Sequence, residues 1–391
     1  MPKEFMIIAG KIYTPKIRIS NGAILVRDGR IAAIKTRRES KADRSLEILD
    51  FSEDIIVPGF IDMHIHGISG ACTADAEPKS IEKMSEALVR HGVTSFLPAL
   101  HSCDPELLTR SLKAIASLRD RQVKGARLLG IYLEGPFVSP RKPGAMNEKY
   151  FKNPSRELFD EIYNGSDGML KLMTVAPELP GAIPLIKYVL SRGVRVALGH
   201  TDAGYEAARA AIGAGASHVT HLFNAMRTFH HRDPGIVGAV LEDPEVSVEL
   251  IADLVHLSST AIRLTYMLKP KDKVVCITDA LAAELSEGIH QIADREILVK
   301  GDAAYLMDGK TLAGSVLTLD KALRNLVFDV GIPLEDALRF MTINPANILG
   351  ERDLGEIKVG ARADLTVLDK SLRVVAAFID GVLIYRREHD S

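Results

Sequence analysis

The chain has 391 residues, 47% of them hydrophobic, and a formal net charge of −2. That is enough apolar material for one large domain and a smaller one, and the lack of a basic stripe excludes a nucleic-acid partner. Three cysteines without a CxxC pair exclude a disulfide framework and suit a reducing cytoplasm.

The leading MPKEFMIIAGKIYTP carries an apolar stretch too short for a secretory signal, with an acid before it. No later apolar run approaches the ~20 residues that span a bilayer, so the expectation is a soluble cytoplasmic protein with no membrane partner. Residues 1–55 alternate with period two, and Asp28-Gly29 between two such runs is a hairpin signal. From there the texture changes to strand and helix in alternation. Strands are predicted at 56–65, 94–100, 128–133, 171–176, 194–198, 218–222, 247–252 and 274–278. Helices are predicted at 81–91, 105–119 (Asp104 as cap, Pro105 first), 183–191, 205–214 and 260–268, then at 317–330 and 334–341. Residues 355–391 return to period two, with a second Asp380-Gly381 turn. Eight βα units predict an α/β fold, a (β/α)8 TIM barrel at 56–354. The two β-rich ends, 1–55 plus 355–391, predict a small β-sandwich domain formed by both termini. The rival reading, a doubly wound open sheet, lacks a GxGxxG after its first strand.

The chemistry lies at the ends of the predicted strands. In Asp62-Met63-His64-Ile65-His66 the two imidazoles are two residues apart, so an extended strand projects both to one side, at a separation suited to one metal ion. Glu134 closes an apolar strand, where an ionised carboxylate needs a partner or a cation. His200 and His221 close two further runs and complete a zinc-type set of N and O donors. His218, three residues before His221, is read as lying on the opposite face, outside the site. Asp279 ends the eighth strand, where it can take a proton from an activated water and return one to a leaving group; a further ligand role is compatible with this.

Together, Leu133-Glu134-Gly135-Pro136-Phe137, Gly199-His200-Thr201-Asp202-Ala203, His221-Leu222-Phe223-Asn224-Ala225-Met226 and Leu312-Ala313-Gly314-Ser315 resemble the N-acetylglucosamine-6-phosphate deacetylases of the amidohydrolase superfamily. The resemblance covers nearly the whole chain. It implies hydrolysis of a linear amide C–N bond, releasing acetate from a phosphorylated amino sugar. It implies that Glu134, His200 and His221 hold the main divalent metal and that His64 and His66 hold a second, Glu134 bridging the two. Zinc is the expected ion, with iron or manganese compatible and one or two ions open. It implies Asp279 as proton carrier and His256 as the residue that orients or polarises the substrate. Asn224 and Ala225 would touch the sugar, as would Ala145, Met146, Leu312, Ala313 and Gly314 around them. Arg232 would bind the phosphate, in the site of a neighbouring subunit of a homodimer.

Three departures bear on the substrate, one of them the stretch 280–289 after Asp279, which looks less like the family's pattern. Leu254 stands where the family commonly has Gly, in Asp253-Leu254-Val255-His256, and Met146 stands where His or Gln is usual. They keep open a related hydrolase of another N-acyl, cyclic amide or aminated heterocyclic substrate. A non-catalytic metal-binding scaffold is the reading from another class, and it predicts loss of a ligand that this sequence retains.

Overall fold

The computed structural model describes residues 4–14, 17–36, 46–119, 121, 123–292 and 295–388; residues 1–3 and 15 of the amino-terminal stretch, 37–45 of the first β-rich end and 389–391 of the second lie outside these. Eight parallel strands follow one another around a barrel: Phe60–Ile65, Val93–His101, Ile131–Glu134, Leu170–Val175, Arg195–Leu198, His218–Val219, Ser247–Ile251 and Val274–Ile277. Each pairs in parallel with the next. Most of their residues are buried on both faces, as expected of strands with a packed interior and helices outside. The eighth strand closes on the first. The Thr278 hydroxyl donates to Asp62 Oδ2 (2.6 Å), and the amide of Asp279 donates to the carbonyl of His64 (2.8 Å). Burial pushes the Asp62 carboxyl up to about 7, against the pull of its hydrogen bonds from Thr278.

All eight predicted positions hold a barrel strand, but the run at 56–65 is two strands. Glu47–Pro58 belongs to the terminal sheet and Phe60–Ile65 to the barrel. The hydrogen-bond partner changes at the joint: Gly59 N donates to the carbonyl of Asp364 (2.9 Å), and Phe60 N to that of Gly92 (3.0 Å). A side chain at Gly59 would collide with Thr94, whose Oγ1 lies 2.1 Å from the position of a Cβ. The helices fall where the apolar period placed them, with Asp104 capping Pro105–Ala116 through hydrogen bonds from the amides of Glu106 (3.0 Å) and Leu107 (3.3 Å). Helices Arg156–Gly165, Gly235–Glu242 and Ile343–Leu349 lie outside the predicted set, the second because it is apolar nearly all round and begins on glycine. Also unforeseen is an antiparallel sheet inserted after the eighth strand, Gly288–Ile292, Arg295–Lys300, Ala303–Leu306 and Leu312–Ser315.

The two ends of the chain build one seven-stranded sheet. Its order is Val382–Arg386, Val374–Ile379, Leu365–Leu368, Glu47–Pro58, Glu4–Tyr13, Arg18–Arg27 and Arg30–Thr36. Phe5 and Phe378 sit three strands apart, about 14 Å in a flat sheet, yet their rings stack at 6.5 Å. The sheet therefore coils over on itself and encloses its own apolar core, as a sandwich does. Both Asp-Gly turns form as expected, with positive φ at both residues of each: +48° and +76° at Asp28 and Gly29, +47° and +71° at Asp380 and Gly381. Arg127, beside the second barrel strand, ties the two parts together through Asp364 (2.7 Å) and Asp380 (2.7 Å). Burial lifts the Asp364 carboxyl to about 6 even against the Arg127 charge.

Arg127→Met leaves that buried acid without its cation. Urea denaturation should show a loss of about 3 kcal/mol; a loss within the range of a surface pair, below about 0.5 kcal/mol, would show that the tie carries no stability.

Candidate active site

The six candidate groups sit at the C-terminal ends of the barrel strands. Glu134 is the last residue of the third strand, and His200, His221 and Asp279 each lie two residues beyond the fifth, sixth and eighth. His64 is within the first strand and His66 immediately after it. Three of these positions have left-handed backbone: φ is +46° at His200, +27° at His221 and +49° at Asp279. Non-glycine residues adopt it at a cost of order 1 kcal/mol each, sustained only where the surroundings fix it. Here it turns each side chain off the strand's alternation and into the barrel mouth. Gly135, with φ of +107°, follows Glu134 where a Cβ would lie 2.1 Å from Ser102 Oγ.

Two groups of potential ligands result, His64 with His66 and Asp279, and Glu134 with His200 and His221, each set of ligand atoms within 4.8 Å. Glu134 faces both. Its Oε1 lies 2.9 Å from His200 Nε2 and 2.8 Å from His221 Nε2, while its Oε2 lies 3.4 Å from His66 Nε2 and 3.9 Å from His64 Nε2. Asp279 Oδ1 is 3.2 Å from His66 Nε2 and 3.5 Å from His64 Nε2. The imidazoles crowd each other through the same atom, His64 to His66 at 3.2 Å and His200 to His221 at 3.1 Å.

Proton bookkeeping decides what this cluster holds. His66 Nδ1 faces the carbonyl of Ala99 (3.1 Å), and His200 Nδ1 the carbonyl of Lys142 (3.0 Å). His64 Nδ1 faces Glu249 Oε2 (3.0 Å). Carbonyls and carboxylates only accept, so these three nitrogens carry their protons on Nδ1. The Nε2 lone pairs are left facing each other and two carboxylates. Such a buried, all-acceptor set requires positive charge at its centre, which a divalent cation supplies. The electrostatics point the same way. Burial opposes a charged His66, yet hydrogen bonds with Asp279 and Glu134 lift it to about 9. Burial likewise opposes ionisation of Glu134, and the His200 charge with its hydrogen bond overrides it, holding the carboxyl well below the usual range. Asp279 is also lowered, its burial offset by the His64 charge and the His66 hydrogen bond. The donor set fits a metal ion.

Above the cluster opens a cavity of about 270 Å³. His66, Glu134, His200, His221 and Asp279 line it, as do Ala145, Met146, Asn224, Ala225, His256, Leu312, Ala313 and Gly314. His64 is fully buried beneath. His256 is held by Asp253, whose Oδ2 accepts from Nδ1 (2.6 Å) while Oδ1 accepts from the amides of Val255 (2.9 Å) and His256 (2.8 Å). One expectation changes. Leu254 takes φ of +66° and packs against the barrel core instead of lining the cavity. Arg232 is exposed outside the cavity of its own chain, beside Tyr205 and Pro234, with Nη1 3.1 Å from His231 Nε2.

Sequence reasoning missed three residues. Arg295, from the inserted sheet, is the one Lys or Arg among the described residues that lines the cavity. Glu249 is completely buried in the seventh strand. The charge of His64 and the hydrogen bond from His218 outweigh burial and hold its carboxyl at about 2. The clue was available: an acid inside Ser247-Val248-Glu249-Leu250-Ile251 needs a partner for the reason that singled out Glu134. His218 joins neither ligand group and does not line the cavity, yet it faces inward instead of away. Its Nε2 donates to Glu249 Oε1 (3.0 Å), because the strand ends at Val219 and the left-handed turn at His221 breaks the count by twos.

Comparison with known proteins agrees with this geometry. Residues 55–384 match the Amidohydrolase family. The chain is 34% identical over 390 residues to the N-acetylglucosamine-6-phosphate deacetylase of Bacillus subtilis, covering 98% of each. It is also 34% identical to an N-acetylgalactosamine-6-phosphate deacetylase of Escherichia coli, covering 96% of this chain and 98% of that one. A mutant N-acetyl-D-glucosamine-6-phosphate deacetylase from Mycobacterium smegmatis, solved with N-acetyl-D-glucosamine-6-phosphate, superposes with a TM-score of 0.91 at 31% identity, over 98% of this chain and 99% of that one.

Glu134 belongs to one ligand group and faces the other, whereas His64 belongs to one and lies farther from its neighbour group. Elemental analysis after dialysis should find Glu134→Ala depleted of all bound metal and His64→Asn still retaining the ion held by Glu134, His200 and His221. Full metal content in Glu134→Ala would contradict the shared role.

Proposed function

The chain belongs to the amidohydrolase family, and on that premise we propose that it is a metal-dependent deacetylase. It hydrolyses the N-acetyl group of N-acetylglucosamine-6-phosphate to give glucosamine-6-phosphate and acetate. The observation that carries this reading is the two-group ligand cluster with Asp279 on the floor of the cavity, in a chain aligned end to end with deacetylases of that name. Zinc is the proposed ion; iron and manganese accept the same donors. When bound, a divalent ion lowers the pKa of water and polarises the acetyl carbonyl. Asp279 accepts the proton of the attacking water and delivers it to the nitrogen of the departing amine, so that one carboxylate serves as base and then as acid. His256, fixed by Asp253, orients the acetyl group from the cavity wall, and the wall at Asn224, Ala225 and 312–314 contacts the sugar.

Arg232 lies outside its own cavity, so its proposed phosphate contact is made in the cavity of a second copy, and the working unit is a homodimer. A guanidinium suits that role through its planar fork of donors. The equal identity to a glucosamine and a galactosamine enzyme makes the C4 epimer the comparison to run, so both sugar phosphates belong in the assay.

Two variants test the assignment by acetate release. Asp279→Asn should keep the ion held by Glu134, His200 and His221 and lose at least ~1,000-fold in kcat, the loss of a positioned acid–base group; near-normal turnover would remove Asp279 from the chemistry. Arg232→Ala should raise KM for the phosphorylated sugar about 10- to 100-fold, the worth of a charged hydrogen bond, and leave the unphosphorylated sugar unchanged. Equal effects on both sugars would take Arg232 off the phosphate.

A further inference from the structure

We infer that Glu249, backed by His218, is a positioning pair that makes His64 a ligand and thereby creates the second of two metal positions. The inference rests on the metal-dependent reading above and deepens it, since it says what the second position depends on.

His66 and His200 are oriented by backbone carbonyls, of Ala99 and Lys142. A backbone carbonyl survives any substitution of its own side chain. His64 differs: the group facing its Nδ1 is a side chain, Glu249, and both are fully buried. Glu249 accepts from three donors. Oε2 takes the His64 ring (3.0 Å) and the backbone amide of His221 (3.1 Å), and Oε1 takes His218 Nε2 (3.0 Å). His218 Nδ1 lies 2.7 Å from the oxygen of the Ser247 hydroxyl, which donates its one proton to the carbonyl of Ser217 (3.0 Å) and so accepts from the ring. A chain of hydrogen bonds thus runs from the sixth and seventh strands to the first.

The chain has two consequences. It places the His64 proton on Nδ1, which leaves the Nε2 lone pair beside His66 and Asp279. It also links a ring of one ligand group to the backbone of the other, because Glu249 Oε2 bonds both His64 and the His221 amide. Glutamine at 249 cannot reproduce this. Its oxygen is neutral and a weaker acceptor: turned to His64 and the His221 amide it leaves the ring less basic and sets the NH2 against His218 Nε2, and turned the other way the NH2 would drive the His64 proton to Nε2, on the atom that must ligate. Outer partners of this kind are worth about 10- to 100-fold in metal affinity.

The test is equilibrium metal binding, read without any substrate. Protein stripped by a chelator, with its fold checked by circular dichroism, is titrated with zinc against a chromophoric competitor. The wild-type chain should take two ions. Glu249→Gln should take one with unchanged affinity and bind the other about 10- to 100-fold more weakly. His218→Phe, which removes only the outer support, should weaken the same ion, and His218→Gln, which keeps a donor, should weaken it less; these variants decide the matter if Glu249→Gln does not fold. Two ions bound with wild-type affinity in Glu249→Gln or, failing that, in His218→Phe, would overturn the assignment. A wild-type chain that takes a single ion would overturn the second position itself and leave a one-ion deacetylase standing. Two ions bound as expected without acetate release would sink the substrate reading and leave this one intact.

Discussion

Six side chains meet at the mouth of this barrel with lone pairs and negative charge turned toward one another. Acceptors hold three of the four ring protons on the far side of the imidazoles, so with neutral rings hydrogen bonding among the six cannot satisfy them. A cation can, and the rest of the molecule is arranged so that the six stay in place around one. The barrel supplies a floor that excludes water. Left-handed backbone at His200, His221 and Asp279 directs their side chains inward, and the packing there is close: a Cβ at Gly144 would lie 3.0 Å from the His200 ring and one at Gly314 3.0 Å from the Asp279 carbonyl.

Closure of the barrel is the step that makes the site. His64 and His66 lie on the first strand and Asp279 just after the eighth, and only the seam between those strands brings them together. The seam is polar. Asp62 bonds Thr278 across 216 residues of sequence, and the His64 carbonyl accepts from the Asp279 amide. A barrel that failed to close would separate one ligand group and leave the other, at the third, fifth and sixth strands, nearly whole. The two groups therefore report different things about folding: Glu134, His200 and His221 report strand order, and His64, His66 and Asp279 report closure.

The positions of the strands and of the six candidate side chains were legible because one pattern carries both. An apolar, β-branched run ended by His, Asp or Glu marks a buried strand whose last polar residue needs a reason to be there. The pattern failed where the backbone leaves the strand early, as at His218, or changes sheet in mid-run, as at Gly59. It also failed for Glu249, which sits inside its strand instead of at the end, so that the search for terminal acids passed over it. The inserted sheet over the cavity was missed because its strands are short and half exposed, with too few buried positions to fix a period. Resemblance placed Leu254 at the sugar, but its left-handed conformation seats it against the core. No sequence period reveals a single residue's φ.

The most direct test of a cation-centred cluster is anomalous X-ray diffraction from crystals of the purified protein, collected at the absorption edge of the metal found in it. The account predicts anomalous density enclosed by Glu134, His200 and His221, and a second peak beside His64, His66 and Asp279. Density elsewhere, or none in a protein that still releases acetate after exhaustive chelation, would contradict it.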